Sequence, residues 1–198
     1  AKGEKRTYLL FSLAAACFHY SAFVLPLLTF FGSRPLTLRG RLVIGAIPLL
    51  GYLLFFGGFD PIASLPIPWI QEKLWIYERL RDSGMAGDAI NVFNIVYVMR
   101  LLVFYLLLWK YDVIKEQAPN LSLLLKVFAI SYFCFTALGA LPVMAFRYAE
   151  LFGVVEIVMV PYLALTMKPE AFGKSLVIVF AFGCMMLNVF YNELLKLS

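Results

Sequence analysis

The chain has 198 residues, of which 63% are hydrophobic, 17% aromatic and 15% charged, and its mean hydropathy is +0.86. Soluble domains are about 45–50% apolar and about 25% charged, so a water-soluble fold is excluded: one core could not hide the excess behind a wettable surface. Seventeen Lys and Arg against 12 Asp and Glu leave +5, a surplus that membrane proteins carry in cytoplasmic loops and against anionic lipid, and one that gives no reason to invoke nucleic acid.

At about 20 apolar residues per crossing, the length leaves room for about six transmembrane helices and no sizeable soluble domain. The expected architecture is therefore an all-α polytopic membrane protein, one integral membrane domain over residues 1–198. Lys2, Lys5 and Arg6 precede a first span over about residues 8–31, which contains His19, Ser21 and Pro26 and is expected to kink in its second half. This run is too long for a signal peptide and lacks a small-x-small cleavage site, so it reads as a retained span. The turn 33–41 carries Arg34, Arg39 and Arg41, and a second span follows over about residues 42–56, interrupted by Pro48.

Residues 59–90 form the longest polar stretch, with Pro61, Pro66 and Pro68 near its start. Within it, Trp69, Ile70, Leu74, Ile76, Tyr77 and Leu80 fall largely on one side of a helical wheel, opposite Glu72, Glu78, Arg79 and Asp82. That is the pattern of a short amphipathic helix lying in the membrane interface. Further spans are expected at about 92–109, 121–140, 151–166 and 176–191, joined by polar turns at 110–120 and 167–175 and by the Arg147–Glu150 stretch.

The basic turns after the third and fifth spans indicate a cytoplasmic face, which places the long loop and Arg147 outside. Lys2, Lys5 and Arg6 contradict this if the first segment crosses fully. Either that segment does not fully cross, or its orientation is fixed by an earlier span. No internal repeat or low-complexity tract is visible.

Ionisable groups at lipid depth carry the chemical information, because each costs roughly 2.5–3.5 kcal/mol on insertion scales unless it pairs or faces water. His19, Arg100 and Glu156 qualify, with Arg147 and Glu150 at a span boundary and Lys126 one turn inside another. Arg100, Tyr97 and Asn94 follow one another at three-residue steps, a polar strip that must face protein or a water-filled cavity. Arg100 either pairs with Glu156 to join two helices or binds substrate. The lone His19 reads as a hydrogen-bonded packing residue when taken by itself, and Ser21, two residues on, points away from it. Arg147 and Glu150 either form an ion pair across one turn or act separately, Arg147 then gripping a phosphate with its two-pronged guanidinium. Asp60 in the long loop is a rival candidate, though an Asp before Pro is commonly a turn former. Cys17, Cys134 and Cys184 lie far apart in apolar runs and read as packing thiols, with no metal-ligand spacing among Cys and His. There is no GxSxG and so no support for a serine hydrolase.

Two stretches resemble signatures of the EpsG-type exopolysaccharide polymerases, which are similar to the Wzy O-antigen polymerases. One is the helix segment Ala16-Cys17-Phe18-His19-Tyr20-Ser21-Ala22 after a basic turn. The other is Phe146-Arg147-Tyr148 followed by an apolar helix ending near Pro161. In that family the chain would correspond to the C-terminal half, and Lys2–Arg6 would then be an internal cytoplasmic turn.

The resemblance implies polymerisation of lipid-linked oligosaccharide repeat units by inverting glycosyl transfer from undecaprenyl diphosphate, at the outer face of a bacterial inner membrane. On that reading Arg147 stabilises the departing diphosphate, and Glu150 or His19 serves as base. Arg100, Tyr97, Tyr148 and Asp60 would contact substrate. Partners would be lipid-linked oligosaccharide, membrane lipid and proteins of polysaccharide export and chain-length control. Cationic side chains would stand in for a divalent ion, so no metal and no cofactor are expected. Two alternatives stand beside this reading: a transporter or flippase of an anionic or lipid-linked substrate, and a non-catalytic membrane scaffold.

Overall fold

The computed structural model describes residues 2–18, 20–58, 64, 66, 68–83 and 90–190, and every regular element among them is helical. Helix α1 (Lys2–Phe18) is followed by a 3₁₀ segment, Tyr20–Phe30, containing Pro26. These do not form the single kinked span expected over 8–31. The Lys5 ammonium donates to the Thr29 carbonyl at 3.2 Å and the Tyr8 hydroxyl to the Leu25 carbonyl at 3.0 Å, so the 3₁₀ segment runs back alongside α1 as a hairpin. Hydropathy is blind to this choice, since an apolar run scores alike whether it crosses or doubles back. Pro26 has no amide hydrogen to continue an α-helix, and the 3₁₀ segment rises about 2 Å per residue on its return.

Thr37 then caps α2 (Leu38–Phe56), its hydroxyl accepting from the Gly40 amide at 3.2 Å. Pro48 is buried within α2 and does not end it. The Tyr105 hydroxyl donates to the Gly45 carbonyl at 2.8 Å, in the turn that the proline loosens. Helix α3 (Pro68–Asp82) forms where the amphipathic stretch was expected, with the Arg79 guanidinium 4.1 Å from the ring centre of Trp75.

Asn94 caps α4 (Ile95–Trp109) through its side-chain oxygen, 3.0 Å from the Val96 amide. After the short α5 (Tyr111–Ile114), α6 (Leu121–Ala137) forms the centre of the molecule. Its Leu121, Leu125, Phe128 and Phe135 are fully or almost fully buried. It packs between α2 and α7 (Pro142–Gly153). Helix α8 (Glu156–Met159) and the 3₁₀ segment Val160–Thr166 continue from α7 after a break, and α9 (Glu170–Phe190) closes the described chain.

In lipid the hydrophobic effect supplies little helix association, so close packing and hydrogen bonds must. The contact of α2 with α6 shows how. A Cβ added at Gly51 would stand 2.1 Å from the Thr136 hydroxyl and 3.2 Å from the Phe133 carbonyl oxygen, so only glycine lets these backbones approach.

Two tied ends define the molecule's polarity. At one, the Leu36 amide donates to the Tyr111 hydroxyl (2.9 Å), Arg41 pairs with Asp112 (2.8 Å) and the Lys126 ammonium donates to the Gly32 carbonyl (2.5 Å). The turn 33–41 and the loop 110–120 therefore share one face, and the hairpin returns Lys5 to that same end. At the other, the Ile90 amide donates to the Gly139 carbonyl (3.2 Å), and the Tyr52 hydroxyl to the Val92 carbonyl (3.0 Å). Both ends of the hairpin, with Lys5 and Arg34, therefore lie at the end of the molecule that carries the turn 33–41 and the loop 110–120.

The count of six crossings is not carried by the helix lengths. Among the described residues, Leu38–Phe56 alone is long and apolar enough, and Pro142–Gly153 with Glu156–Thr166 qualifies as one span bent by 40°. Ile95–Trp109, Leu121–Ala137 and Ala171–Leu187 are apolar but shorter. Fifteen helical residues reach about 22 Å against a hydrocarbon core of about 30 Å. The expected span at 151–166 also straddles the break between α7 and α8, and Arg147 and Glu150 lie within helix α7.

Candidate functional site

The residues following Asn94 on α4 set one wall of a cavity of about 1050 Å³, closed by α7, the α7–α8 break, the segment 160–166 and α9. Asn94, Tyr97 and Arg100 contribute from α4, Glu150 and Gly153 from α7, and Glu156 from the first position of α8. The polar strip read from the sequence thus faces a cavity, and the break in the bent span brings a second carboxylate to it.

Arg100 is held on several sides. Its Nε donates to the Glu156 carboxylate, with the two side chains 16% and 17% exposed. The guanidinium carbon lies 5.1 Å from the ring centre of Tyr97 and 5.9 Å from that of Phe128, both within reach of a cation–π attraction. Gly153 leaves the space the guanidinium occupies, since a Cβ there would stand 2.8 Å from its Nη2. The neighbouring Ser131 hydroxyl is turned away to the Ala149 carbonyl at 2.5 Å. The ion pair considered from the sequence is therefore present, and it borders the cavity. A guanidinium fixed this way is a preorganised cation, the kind of group that stabilises developing negative charge.

Tyr97 is fixed from behind. Its ring stacks on Phe135 with 3.4 Å between centroids, and its carbonyl accepts from the Tyr132 hydroxyl at 2.9 Å. The opposite wall is apolar: Val177, Phe180, Ala181, Cys184, Met185 and Val189 of α9 face the cavity, with Val160 and Pro161 beside them. Val154 and Ile157, on the rim, are 59% and 75% exposed, so the cavity borders the molecule's outer apolar surface.

Of the expected site residues, Arg100, Tyr97 and Glu150 converge on this cavity. Arg147 is exposed and Tyr148 half-buried on α7, adjacent to the cavity-lining Phe146 and Glu150 but not themselves among the lining residues. His19 and Asp60 lie outside the described residues. Asn94 and Glu156 belong to the cavity without having been named as site residues, although the polar strip and the need for an intramembrane partner pointed to them. The α9 wall carried no signal, because plain apolar residues in a membrane chain have no chemical signature. Among the described residues, no three Cys, His, Asp or Glu side chains come together in a way that could hold a metal ion.

The family model of the EpsG family matches residues 1–197. The match thus runs across the whole chain and is not confined to one half of it. No curated protein and no solved structure matches the chain. The chain therefore belongs to the EpsG family, the exopolysaccharide-polymerase-like family of membrane proteins.

Proposed function

We propose that the protein polymerises lipid-linked oligosaccharide repeat units by inverting glycosyl transfer, as a multi-pass protein of a bacterial inner membrane. The observation that carries this reading is the convergence of Arg100, Glu156 and Glu150, from three separate helices, on one cavity bordering the lipid-facing surface. Charged groups at this depth are expensive unless function or pairing retains them, and here Arg100 and Glu156 are paired while all three border an open space.

In the proposed reaction, a hydroxyl of one repeat unit attacks the anomeric carbon of a chain carried on undecaprenyl diphosphate. The new glycosidic bond forms on the face opposite the breaking carbon–oxygen bond, and the diphosphate leaves with the electron pair. Glu150 takes the hydroxyl proton, and Arg147, one turn away on α7, stabilises the charge growing on the leaving group. Arg100, Tyr97 and Tyr148 orient substrate. His19 and Asp60 remain candidates for second base and loop contact respectively. The basic turns 33–41 and 110–120 face the cytoplasm on this reading, so Asn94 and α7 lie toward the outer leaflet, where lipid-linked repeats are presented.

Reconstitution tests the reading: the purified full chain in vesicles is given lipid-linked repeat units, and the product is sized. Ladders of multiple repeats support the polymerase; unchanged single units argue against it. A second reading, transport of the lipid-linked unit, is favoured by the broken span beside the cavity, a device transporters use at their binding sites. It would appear in the same vesicles as movement of the unit between leaflets without any lengthening.

A further inference from the structure

We propose that Lys5, Arg34 and Lys126 form a binding site for the headgroup of an anionic phospholipid of the surrounding bilayer. The site lies at the end of the molecule away from Asn94 and does not depend on the polymerase reading. Three elements bring the cations together. The Lys5 ammonium of α1 donates to the Thr29 carbonyl at 3.2 Å, and the Lys126 ammonium of α6 to the Gly32 carbonyl at 2.5 Å. Thr29 and Gly32 are three residues apart, so their backbones lie within about 10 Å of each other. The chain there is drawn tighter by the Phe31 amide, which donates to the Leu28 carbonyl at 3.0 Å. Arg34, two residues past Gly32, is exposed.

Nothing described cancels this charge locally. A carbonyl is neutral and takes one of an ammonium's three N–H groups, leaving two to donate elsewhere. Among the described residues no carboxylate pairs with Lys5, Arg34 or Lys126, whereas Arg41 and Lys115 on the same face share Asp112. The loops that meet at the other end, 57–58, 90–94 and 138–141, contain no charged residue. Cations spaced on the scale of the Debye length, about 8–10 Å, repel one another, and an anion among them removes that cost.

The surroundings select which anion. Leu27, Phe30 and Leu38 are exposed close by in sequence, apolar side chains better covered by acyl chains than by water. A lipid phosphodiester sets its charge at the cations and its chains along these residues, while a soluble phosphate leaves them bare. Lys126 is half-buried near the start of α6, and a lysine so placed lays its stem along apolar surface and carries its ammonium to headgroup depth.

The test titrates the full chain in nonionic detergent with phosphatidylglycerol or phosphatidylcholine and reads bound lipid by native mass spectrometry, which weighs only folded complexes. The wild type should prefer phosphatidylglycerol, and Lys126→Gln should weaken that lipid about fivefold, the effect of one basic side chain near an anionic surface. Lys5→Gln and Arg34→Gln should each do the same, with phosphatidylcholine binding unchanged. Lys110→Gln, which removes an equal charge from the same face outside the cluster, should leave the preference intact. A wild type that binds both lipids alike would overturn the site whatever the variants do. So would an equal loss in Lys110→Gln, which would mean diffuse attraction, or displacement of the lipid by millimolar inorganic phosphate, which would mean a site for a soluble anion.

Discussion

The guanidinium of Arg100 occupies the space a side chain at Gly153 would need: a Cβ there would stand 2.8 Å from Arg100 Nη2 and 3.2 Å from the Ser131 hydroxyl. Gly153→Ala is expected to push Arg100 off its seat and loosen its pair with Glu156. Overpacking of this kind costs about 1–3 kcal/mol, while polymer formation should fall further than stability does. If Arg100→Lys, which lacks the fork, removes most of the effect of Gly153→Ala in a double-mutant cycle, the coupling is direct. Equal effects in both backgrounds would deny it.

Removing one member of the Arg100–Glu156 pair should be worse for folding than removing both. Breaking a buried pair typically costs about 3–5 kcal/mol, whereas replacing both partners by apolar residues is often neutral. Arg100→Met should therefore lower the yield of folded protein, and adding Glu156→Leu should restore it without restoring polymer. Thermal unfolding in detergent reads the first effect and product sizing the second. Restored activity in the double variant would show that the pair is only a structural clasp.

Gly51→Ala should drive α2 from α6, because the added methyl meets Thr136, whose hydroxyl is already committed to the Tyr132 carbonyl at 3.0 Å. A loss of about 1–3 kcal/mol corresponds to several degrees in Tm for a chain this long. Adding Thr136→Ala should recover part of it, the remainder reflecting the approach to the Phe133 backbone. No change in Tm would mean that the helices are farther apart than described.

Asp112 ties the turn 33–41 to the loop 110–120 in a pH-dependent way. A hydrogen bond from Lys115 is the main cause holding its carboxyl below the ordinary carboxylate range, opposed by desolvation and reinforced by Arg41. A depressed native pKa stabilises the fold above the unfolded value, about 3.9 for Asp, and that contribution is lost as pH falls through the native one. Melting curves from pH 6 to pH 3 should therefore show a smaller acid loss for Asp112→Asn than for the wild type. Parallel curves would remove Asp112 from the acid response.

The sequence announced the helical membrane class through composition, and the Arg100–Glu156 pair through the cost of unpaired charge in lipid. Asn94, Tyr97 and Arg100 at three-residue steps announced a polar face. Three things stayed hidden, each for a physical reason. The hairpin of Lys2–Phe18 with Tyr20–Phe30 has the hydropathy of a span, and only the Lys5–Thr29 and Tyr8–Leu25 contacts reveal its return. The break at Val154 and Val155 falls between residues that favour no particular ending, so the expected span at 151–166 ran across it. The α9 wall is chemically silent until a polar wall stands opposite it.

The central claim, that the guanidinium of Arg147 beside this cavity stabilises a departing lipid diphosphate, is tested most directly by sizing the polysaccharide of producing cells carrying Arg147→Ala at normal protein levels. The account predicts loss of long chains and accumulation of single repeat units on the lipid carrier. A chain-length distribution equal to that of the wild type would contradict it.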